Sequence, residues 1–260
     1  MISSVHNPTI KYVRSLQARS KERRSEKAFV IEGVRLLEEA QKSDWETRLV
    51  LFSEELSGRG MQLVDAFHSQ GTKVAVVSPK VMRAVSDTET PQGILAVMGM
   101  RSLPIPEIMD FILVLDQLRD PGNLGTILRS AAAISVQAVM LTPGTVDQFS
   151  PKVVRGAMGA HFILPVHNAD WEQIQSLIEN SGLRSYLAVA NRGQVYYQVD
   201  YRHPLALILG GEASGAGEPA YQTAESLIQI PMPGGGESLN VSVAAGILLF
   251  EVSRQRGKRS

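Results

Sequence analysis

The chain has 260 residues, 44% of them hydrophobic, which is enough for one large or two ordinary globular domains. Basic and acidic residues are equal at 26 each, so the net charge of zero indicates no particular class of partner. The absence of cysteine excludes disulfides, thiol catalysis and thiolate zinc sites, and the spacing of the five histidines matches no metal motif.

Basic residues are concentrated at the two ends of the chain. Between Pro8 and Lys27 there are seven lysines and arginines against only Glu22 and Glu26. Asn7 followed by Pro8 predicts the start of a helix there. The C-terminal segment SRQRGKRS adds four more basic residues and no acidic one. A charge cluster alone is typical of a solvated helix face, but two basic ends on a neutral protein indicate a local attraction for phosphate.

The first half of the chain alternates strands and helices. The predicted strands are AFVIEG, RLVLFS, KVAVVS and GILAVMGM, and the predicted helices between them are VRLLEEAQKS, MQLVDAFHSQ and KVMRAVSD. This alternation is typical of a small α/β layer structure. Pro104 and Pro106 then stiffen an extended linker, so we predict two domains, 1–105 and 106–260.

The second half restarts the alternation. Its predicted strands are FILVLDQL, QAVMLT, FILPVH, SYLAVA and LALILG, and its helices are NLGTILRSAAAIS, PKVVRGAMGA and WEQIQSLIEN. A last helix is predicted from about Ser238 to Arg254. Strands that are apolar throughout indicate a mostly parallel sheet covered on both faces, and such sheets bind ligands beyond their C-terminal strand ends. The loops after Leu115, Leu209 and Pro231 are therefore the candidate site.

The first of these loops, DQLRDPGNLGTILRSAAA, places Asn123 where it could cap the following helix, with Arg129 nearly two turns further on. The second, ILGGEASGAGEP, ends its strand at Gly210 and Gly211, where backbone could approach a ligand closely, and Glu212 follows. Each loop alone is also typical of an ordinary turn or a capped helix.

The third loop, IPMPGGGESLN, sets three consecutive glycines at 234–236 beside Ser238 and Asn240. The chain lacks both the GxGxxG fingerprint and the GxxxxGK[ST] loop, which disfavours nicotinamide enzymes and P-loop nucleotidases.

Taken together and in this order, PGNLGTILRSA, LGGEASGAG and IPMPGGGESLNVSVAAGILLFE resemble the three motifs of the SpoU (TrmH) branch of the SPOUT RNA methyltransferases, over residues 110–254. The first half resembles the RNA substrate-binding domain often fused ahead of that catalytic domain, itself similar to α/β ribosomal proteins; FVIEGVRLLEEA carries this resemblance. The resemblance implies an α/β fold whose C-terminal SPOUT domain forms a trefoil knot, although chains are otherwise almost never knotted.

The resemblance also implies a cofactor, S-adenosylmethionine, bound in the knot mostly by backbone. The positions that match the family's cofactor-binding residues are Gly210, Gly211, Ile230, Met232 and Leu239. Apolar walls and glycines suit an adenine ring, and no metal ion is needed. In this interpretation the glycines at 234–236 shape the cofactor pocket.

The reaction implied is methylation of an RNA ribose 2′-hydroxyl, with the hard chemistry carried by the cofactor. Arg129 matches the family's proposed catalytic arginine. Because a guanidinium has a pKa above about 12, two roles stay open: an activated base, or electrostatic stabilisation of the alkoxide and phosphate. In this interpretation Asn123, Ser238 and Asn240 orient the reacting groups, and Glu212 positions Arg129 or the RNA.

Three positions depart from the commonest family pattern: Gly211 and Ala213 around the glutamate, and Ile163 after HF. These departures leave RNA contacts near Lys152 and Arg155 open. The family implies a homodimer, with a site that two subunits could share.

Ribosomal RNA, of the large subunit, is the preferred substrate and transfer RNA the second. The rival hypothesis is a non-catalytic RNA-binding protein that retains the fold, which the intact motif residues disfavour. With no apolar run of membrane length and no signal pattern after Met1, the sequence predicts a soluble, cytoplasmic protein.

Overall fold

The computed structural model describes residues 1–211, 215–236 and 238–257. By its internal contacts the chain forms two compact units. The first unit contains Met1–Arg101 and Asp147–Phe162, and the second contains Ser102–Val146 and the chain from Ile163 onward.

Helices and strands alternate along both units. In chain order they are α1 (Pro8–Ala18), α2 (Ser20–Glu26), β1 (Ala28–Glu32), α3 (Val34–Gln41), β2 (Thr47–Ser53), α4 (Gly58–Ser69), β3 (Lys73–Val77), α5 (Pro79–Val85), β4 (Ile94–Gly99), β5 (Phe111–Asp116), α6 (Pro121–Ala133), β6 (Ala138–Leu141), α7 (Pro151–Ala157), β7 (Val166–Asn168), α8 (Trp171–Asn180), β8 (Arg184–Val189), β9 (Gln194–Val195), β10 (Leu205–Gly210), α9 (Glu218–Thr223), β11 (Ser226–Gln229) and α10 (Val241–Gln255).

The first unit is built on a four-stranded sheet in the order β1-β4-β2-β3. Strand β4 pairs antiparallel with both β1 and β2, and β2 pairs parallel with β3. The predicted start of α1 is confirmed: Pro8 is its first residue, and the Asn7 side chain accepts a 2.9 Å hydrogen bond from the Thr9 amide. Helix α1 buries Ile10, Val13 and Leu16, the narrow apolar stripe that its sequence contains.

Residues 147–162 belong to the first unit, although the sequence assigned them to a domain that begins at 106. The Phe149 ring lies 4.9 Å from that of Phe29, and the Phe162 ring lies 5.4 Å from Trp45. Aromatic packing therefore makes this segment part of the first unit's core. The division into an RNA-binding 1–105 and a catalytic 106–260 stays a prediction.

The second unit contains a sheet in the order β7-β6-β5-β10-β8-β11-β9. Every pair of neighbouring strands in it is parallel. The predicted parallel sheet is confirmed, and the complete burial of β5 is what a strand covered on both faces requires. The trefoil knot stays a prediction.

Three local predictions in this half are wrong. FILPVH was expected to be one strand, but Ala160–Phe162 form a 3-10 turn and the strand begins at Val166. Helix α10 begins at Val241 instead of Ser238, because Asn240 is its N-cap. The short elements α9 and β9 were not predicted. No helix among the described residues has the length and apolar character needed to cross a membrane.

Candidate active site

The site is built where the chain leaving β10 passes over the end of β5. Gly210 pairs with Asp116 at the end of the parallel ladder. A Cβ atom on Gly211 would lie 2.5 Å from the Gln117 carbonyl oxygen, and one on Gly210 would overlap the backbone of Ala216. These glycines therefore permit two stretches of backbone to cross at close range. The sequence had suggested clearance for a ligand instead.

Asp116 fixes this crossing, and its role was not predicted. Its carboxylate is fully buried, and one oxygen accepts a 2.8 Å hydrogen bond from the Thr142 hydroxyl. The other oxygen accepts a 2.7 Å hydrogen bond from the Gly217 amide. The loop that follows Gly211 is thus held at its far end against β5. The only sequence signal was a carboxylate at the last position of a buried strand.

A cavity of about 490 Å³ opens beside this crossing, at the C-terminal ends of β8, β10 and β11 and the start of α10. Its lining consists of Ala188, Val189, Ala190, Leu209, Gly210, Gly211, Gly215, Ile228, Gln229, Ile230, Met232, Ser238, Leu239, Asn240, Val241, Ala244 and Leu248. The expected position beyond the strand ends is therefore observed.

All five residues predicted to bind the cofactor line this cavity: Gly210, Gly211, Ile230, Met232 and Leu239. So do two of the predicted catalytic residues, Ser238 and Asn240. Their roles toward a ligand stay predictions. The strand end and loop at 188–190 were missed, because alanine and valine there carry no unusual chemical signal.

The glycines at 234–236 do not line the cavity, contrary to expectation. A Cβ on any of them would meet no atom within 4 Å. Gly235 has a φ of +76°, a conformation that favours glycine, so one member of the run serves the turn. The neighbouring residues on either side of the turn, Met232 and Ser238, face the cavity.

Asn123 and Asn240 meet across the starts of two helices. Asn240 caps α10 by accepting a 2.9 Å hydrogen bond from the Ser242 amide, and its Nδ2 donates to Asn123 Oδ1 at 3.0 Å. The prediction that Asn123 caps α6 is wrong. Asp120 is the N-cap, accepting a 2.8 Å bond from the Asn123 amide, because Pro121 takes the first helical position. Asn123 is thereby joined to the cavity wall through Asn240.

Arg129 lies on the exposed side of α6 and does not line the cavity. Within the described part of the chain its side chain makes no hydrogen bond or ion pair. Glu212, the remaining predicted catalytic residue, lies outside the described residues. The structure thus joins Asn123, Ser238 and Asn240 at the cavity and leaves Arg129 on an open helix face.

In the described ranges, no group of three histidine, aspartate or glutamate side chains is arranged to hold a metal ion. The polar groups at the cavity are amides, a hydroxyl and backbone atoms. Such groups suit an organic ligand recognised by shape and hydrogen bonds.

Two family models match the chain. One, described as the SpoU rRNA methylase family, covers residues 110–250, and the other, an MRM3-like substrate binding domain, covers residues 7–96. The chain belongs to the SpoU rRNA methylase family. The resemblance read from the sequence motifs is confirmed.

Curated relatives match most of this chain. The 23S rRNA (guanosine(2553)-2′-O)-methyltransferase RlmP of Bacillus subtilis is 33% identical, over 96% of this chain and 98% of its own. The human mitochondrial rRNA methyltransferase 3 is 31% identical, over 88% of this chain and 68% of its own.

Solved SpoU structures share the fold. An AdoMet-bound rRNA methyltransferase from Sinorhizobium meliloti has a TM-score of 0.88 at 29% identity, covering 97% of both chains. AviRb from Streptomyces viridochromogenes, in complex with AdoMet, has a TM-score of 0.89 at 25% identity, covering 98% of this chain and all of its own. The α/β fold class is therefore confirmed.

Proposed function

We propose that this chain is an S-adenosylmethionine-dependent RNA methyltransferase that modifies a ribose 2′-hydroxyl of ribosomal RNA, of the large subunit by preference. The cavity at the ends of β8, β10 and β11 carries the proposal, because the predicted cofactor residues from two separate motifs converge on it. Membership of the SpoU family and the names of relatives such as RlmP support it.

The cavity suits the cofactor. Its volume of about 490 Å³ lies in the range usual for small-molecule sites. Ile230, Leu239 and Leu248 supply apolar walls for an adenine ring, while Gln229 and the strand-end backbone supply polar groups. When bound, the cofactor supplies an electrophilic methyl group. No metal ion takes part in this proposal.

The chain's own residues have to align the ribose hydroxyl and help to remove its proton. Ser238 and Asn240 lie on the cavity wall, and Asn240 holds Asn123 by a direct hydrogen bond. We assign these three residues to orienting the reacting groups. Glu212, next to Gly211 in the chain, would position Arg129 or the RNA.

Arg129 is assigned to electrostatic stabilisation of the sugar oxygen and its phosphate. The Arg129 side chain is exposed, and a guanidinium is a poor base but a good fixed positive charge. Its place on the open face of α6 allows a substrate to reach it from outside.

A homodimer is the proposed assembly. Val243 and Phe250 lie two turns apart on α10, and their exposed fractions are 51% and 54%. An apolar stripe of this kind on a helix that begins at the site is a surface for a second copy. Arg129 would then serve a site that both subunits complete.

Transfer RNA is the second candidate substrate. A solved structure for 2′-OH methylation of C/U34 on tRNA is 29% identical with a TM-score of 0.52, but it covers only 58% of this chain. Ribosomal RNA is preferred because the substrate-binding match at 7–96 accompanies relatives named for rRNA. A cytoplasmic location is part of this proposal.

The decisive test pairs cofactor binding with methyl transfer. Calorimetry should detect S-adenosylmethionine binding to both the natural chain and Arg129→Ala, whereas Arg129→Ala should lose at least about a hundredfold in transfer to rRNA, the cost of one electrostatic stabiliser. Arg202→Ala is the matched control, because Arg202 is an exposed arginine of the same unit that pairs with Asp200 at 2.8 Å.

A flat calorimetric trace would reject the cofactor, and normal methylation by Arg129→Ala would reject the assigned residue. Cofactor binding without any transfer by the natural chain would favour the non-catalytic RNA-binding alternative. Mapping 2′-O-methylated riboses in RNA from a deletion strain would separate rRNA from tRNA.

A further inference from the structure

Helices α1 and α2 present a row of positive charge, which we call the basic ridge. Its members are exposed residues of the segment that had stood out in the sequence: Lys11, Arg14, Arg19, Lys21, Arg24 and Lys27. Within the described part of the chain, none of these side chains makes an ion pair or a hydrogen bond. Glu22 and Glu26 are the only acidic residues of the segment, so the ridge keeps a net positive charge that faces solvent.

Three exposed cations elsewhere in the same unit are paired with acidic side chains. Lys42 lies 2.8 Å from Glu39, Arg59 pairs with Glu38, and Arg83 lies 4.0 Å from Glu55. Neighbouring acids cancel much of the field of these three residues. Arg35, Lys73 and Lys80 are also exposed without an ion pair among the described residues, but they are scattered along the chain, whereas the six ridge cations all fall within residues 11–27. This concentration of charge sets the ridge apart from an ordinary solvated face.

At the second basic end of the chain, the two basic residues that the structure describes are both paired. Arg254 pairs with Glu251 at 2.7 Å, and the largely buried Arg256 pairs with Asp110 at 2.6 Å. Lys258 and Arg259 lie outside the described residues. The first basic end lies wholly within the described residues, and six of its seven cations are exposed there without an ion pair.

Arg23 lies within this segment but points inward, with only 4% of its surface exposed. Its guanidinium donates to the carbonyl oxygens of Leu16 and Gln17 at 2.6 and 3.0 Å, and to Asp147 Oδ2 at 2.6 Å. Arg23 thereby satisfies carbonyl groups at the end of α1 and fixes the junction with α2. The ridge is preorganised, so less conformational entropy is lost when a ligand binds.

We propose that the basic ridge binds the sugar-phosphate backbone of the RNA substrate. This proposal rests on the proposed function. Polyanionic backbone is the ligand that matches a row of unpaired cations, because each neutralised phosphate releases condensed counterions. Such contacts fix the position and orientation of the RNA without reading its sequence. The ridge is a docking surface, and choice of the target ribose falls to other parts of the molecule.

The test compares two triple variants of identical charge change. Lys11→Gln/Arg14→Gln/Arg24→Gln removes one lysine and two arginines from the ridge. Lys42→Gln/Arg59→Gln/Arg83→Gln removes the same residue types from paired positions of the same unit. Binding to transcribed 23S rRNA is measured between 50 and 300 mM salt, without cofactor, and S-adenosylmethionine affinity and thermal stability are measured separately.

The ridge variant should bind rRNA at least about tenfold more weakly at low salt. Its slope of log affinity against log salt should fall by about 2 to 3, because each lost phosphate contact contributes about 0.7 to 0.9. The paired-cation variant should change the slope by less than half as much. Both variants should retain the cofactor affinity and melting temperature of the natural chain.

Equal weakening by both variants would overturn the proposal, because net charge alone would then explain binding. The proposal would also be overturned if the ridge variant bound rRNA as tightly as the natural chain does. The same holds if the ridge variant lost binding to an acidic protein partner while its rRNA binding stayed intact. A natural chain that binds rRNA through the ridge but transfers no methyl group would reject the proposed function and keep the ridge. If the natural chain methylates rRNA but the ridge variant has an unchanged salt slope, the proposed function is kept and the ridge proposal is rejected.

Discussion

Gly211 lies where the chain leaving β10 passes close to the backbone of Gln117, just after β5. An alanine Cβ there would be 2.5 Å from the Gln117 carbonyl oxygen, which no change of rotamer can relieve. We expect Gly211→Ala to lower the free energy of unfolding by about 1 to 3 kcal/mol, the usual cost of overpacking, and to weaken S-adenosylmethionine binding. Denaturant unfolding and calorimetry measure the two effects.

Gly234→Ala is the matched control, since a Cβ at that position meets no atom within 4 Å. It should leave stability and cofactor affinity near those of the natural chain. If Gly211→Ala behaved like this control, the close crossing of β5 and the chain after β10 would not be needed for the cavity.

His161 is buried in the first unit, and burial lowers its pKa to about 4. The ring is therefore neutral at pH 7, and its Nε2–H donates to the Gln148 carbonyl oxygen at 2.9 Å. In the unfolded chain a histidine has a pKa of about 6.5. Between these two values the unfolded state binds one more proton than the folded state, so acidification favours unfolding.

This histidine's contribution to the free energy of unfolding should be complete above about pH 6.5 and lost as the pH falls toward 4. We expect the natural chain to lose about 2 kcal/mol more than His161→Phe between pH 7 and pH 5. Phenylalanine keeps an aromatic ring beside Phe149, whose ring lies 5.6 Å from that of His161. Urea unfolding at the two pH values measures this, and parallel pH dependence would contradict the burial of a neutral ring.

Helix α10 begins at the cavity and also carries the exposed apolar stripe of Val243 and Phe250, the surface proposed for the second subunit. Replacing Phe250 by glutamate puts a charge in that stripe without touching the cavity lining. If the proposed dimer forms through this stripe, Phe250→Glu should give a monomer in light scattering where the natural chain gives a dimer, while cofactor binding persists. Ile108→Glu is the control, since Ile108 is 84% exposed and lies outside the helix. A dimer that survives Phe250→Glu would place the interface elsewhere.

Some secondary-structure elements could be predicted from the sequence and others could not. Strand β5 and the parallel sheet could be predicted, since six consecutive buried residues leave a strong apolar signal. The strand predicted at FILPVH failed because tertiary packing, with Phe162 against Trp45, outweighed local β-propensity. The two-residue β9 carries too few residues for any periodic signal.

The residues of the candidate site likewise divide into those that the sequence could predict and those that it could not. Gly210, Ile230 and Leu239 could be found, because distinctive motifs follow strands of a parallel sheet. The loop at 188–190 could not be found, because it contributes small side chains and backbone. Nor could Asp116, since its importance depends on Thr142 and Gly217, which lie far from it in the chain.

At the scale of the whole molecule, the first unit is not a continuous stretch of chain. Fragment 1–101 lacks Phe149 and Phe162, which pack on Phe29 and Trp45. We expect the isolated fragment to be less stable than the same unit in the full chain and to expose Trp45, its single tryptophan, with red-shifted fluorescence. A peptide of residues 147–162, added in trans, should shift the emission back to the blue.

The control peptide carries serine in place of Phe149 and Phe162, and it should have no such effect. A fragment 1–101 that unfolds cooperatively with buried Trp45 would show that the later segment is dispensable. The same consideration applies to removal of residues 1–105, which would leave residues 147–162 without their aromatic partners.

The interleaved first unit has a consequence for biosynthesis. A ribosome makes the chain from its N-terminus, and most proteins can complete one domain while the next is still being translated. Here the nascent chain has to wait, with Phe29 and Trp45 uncovered, until residue 162 has left the exit tunnel. The translation rate over the codons that carry residues 102–162 out of the tunnel therefore sets how long that apolar surface is open to chaperones.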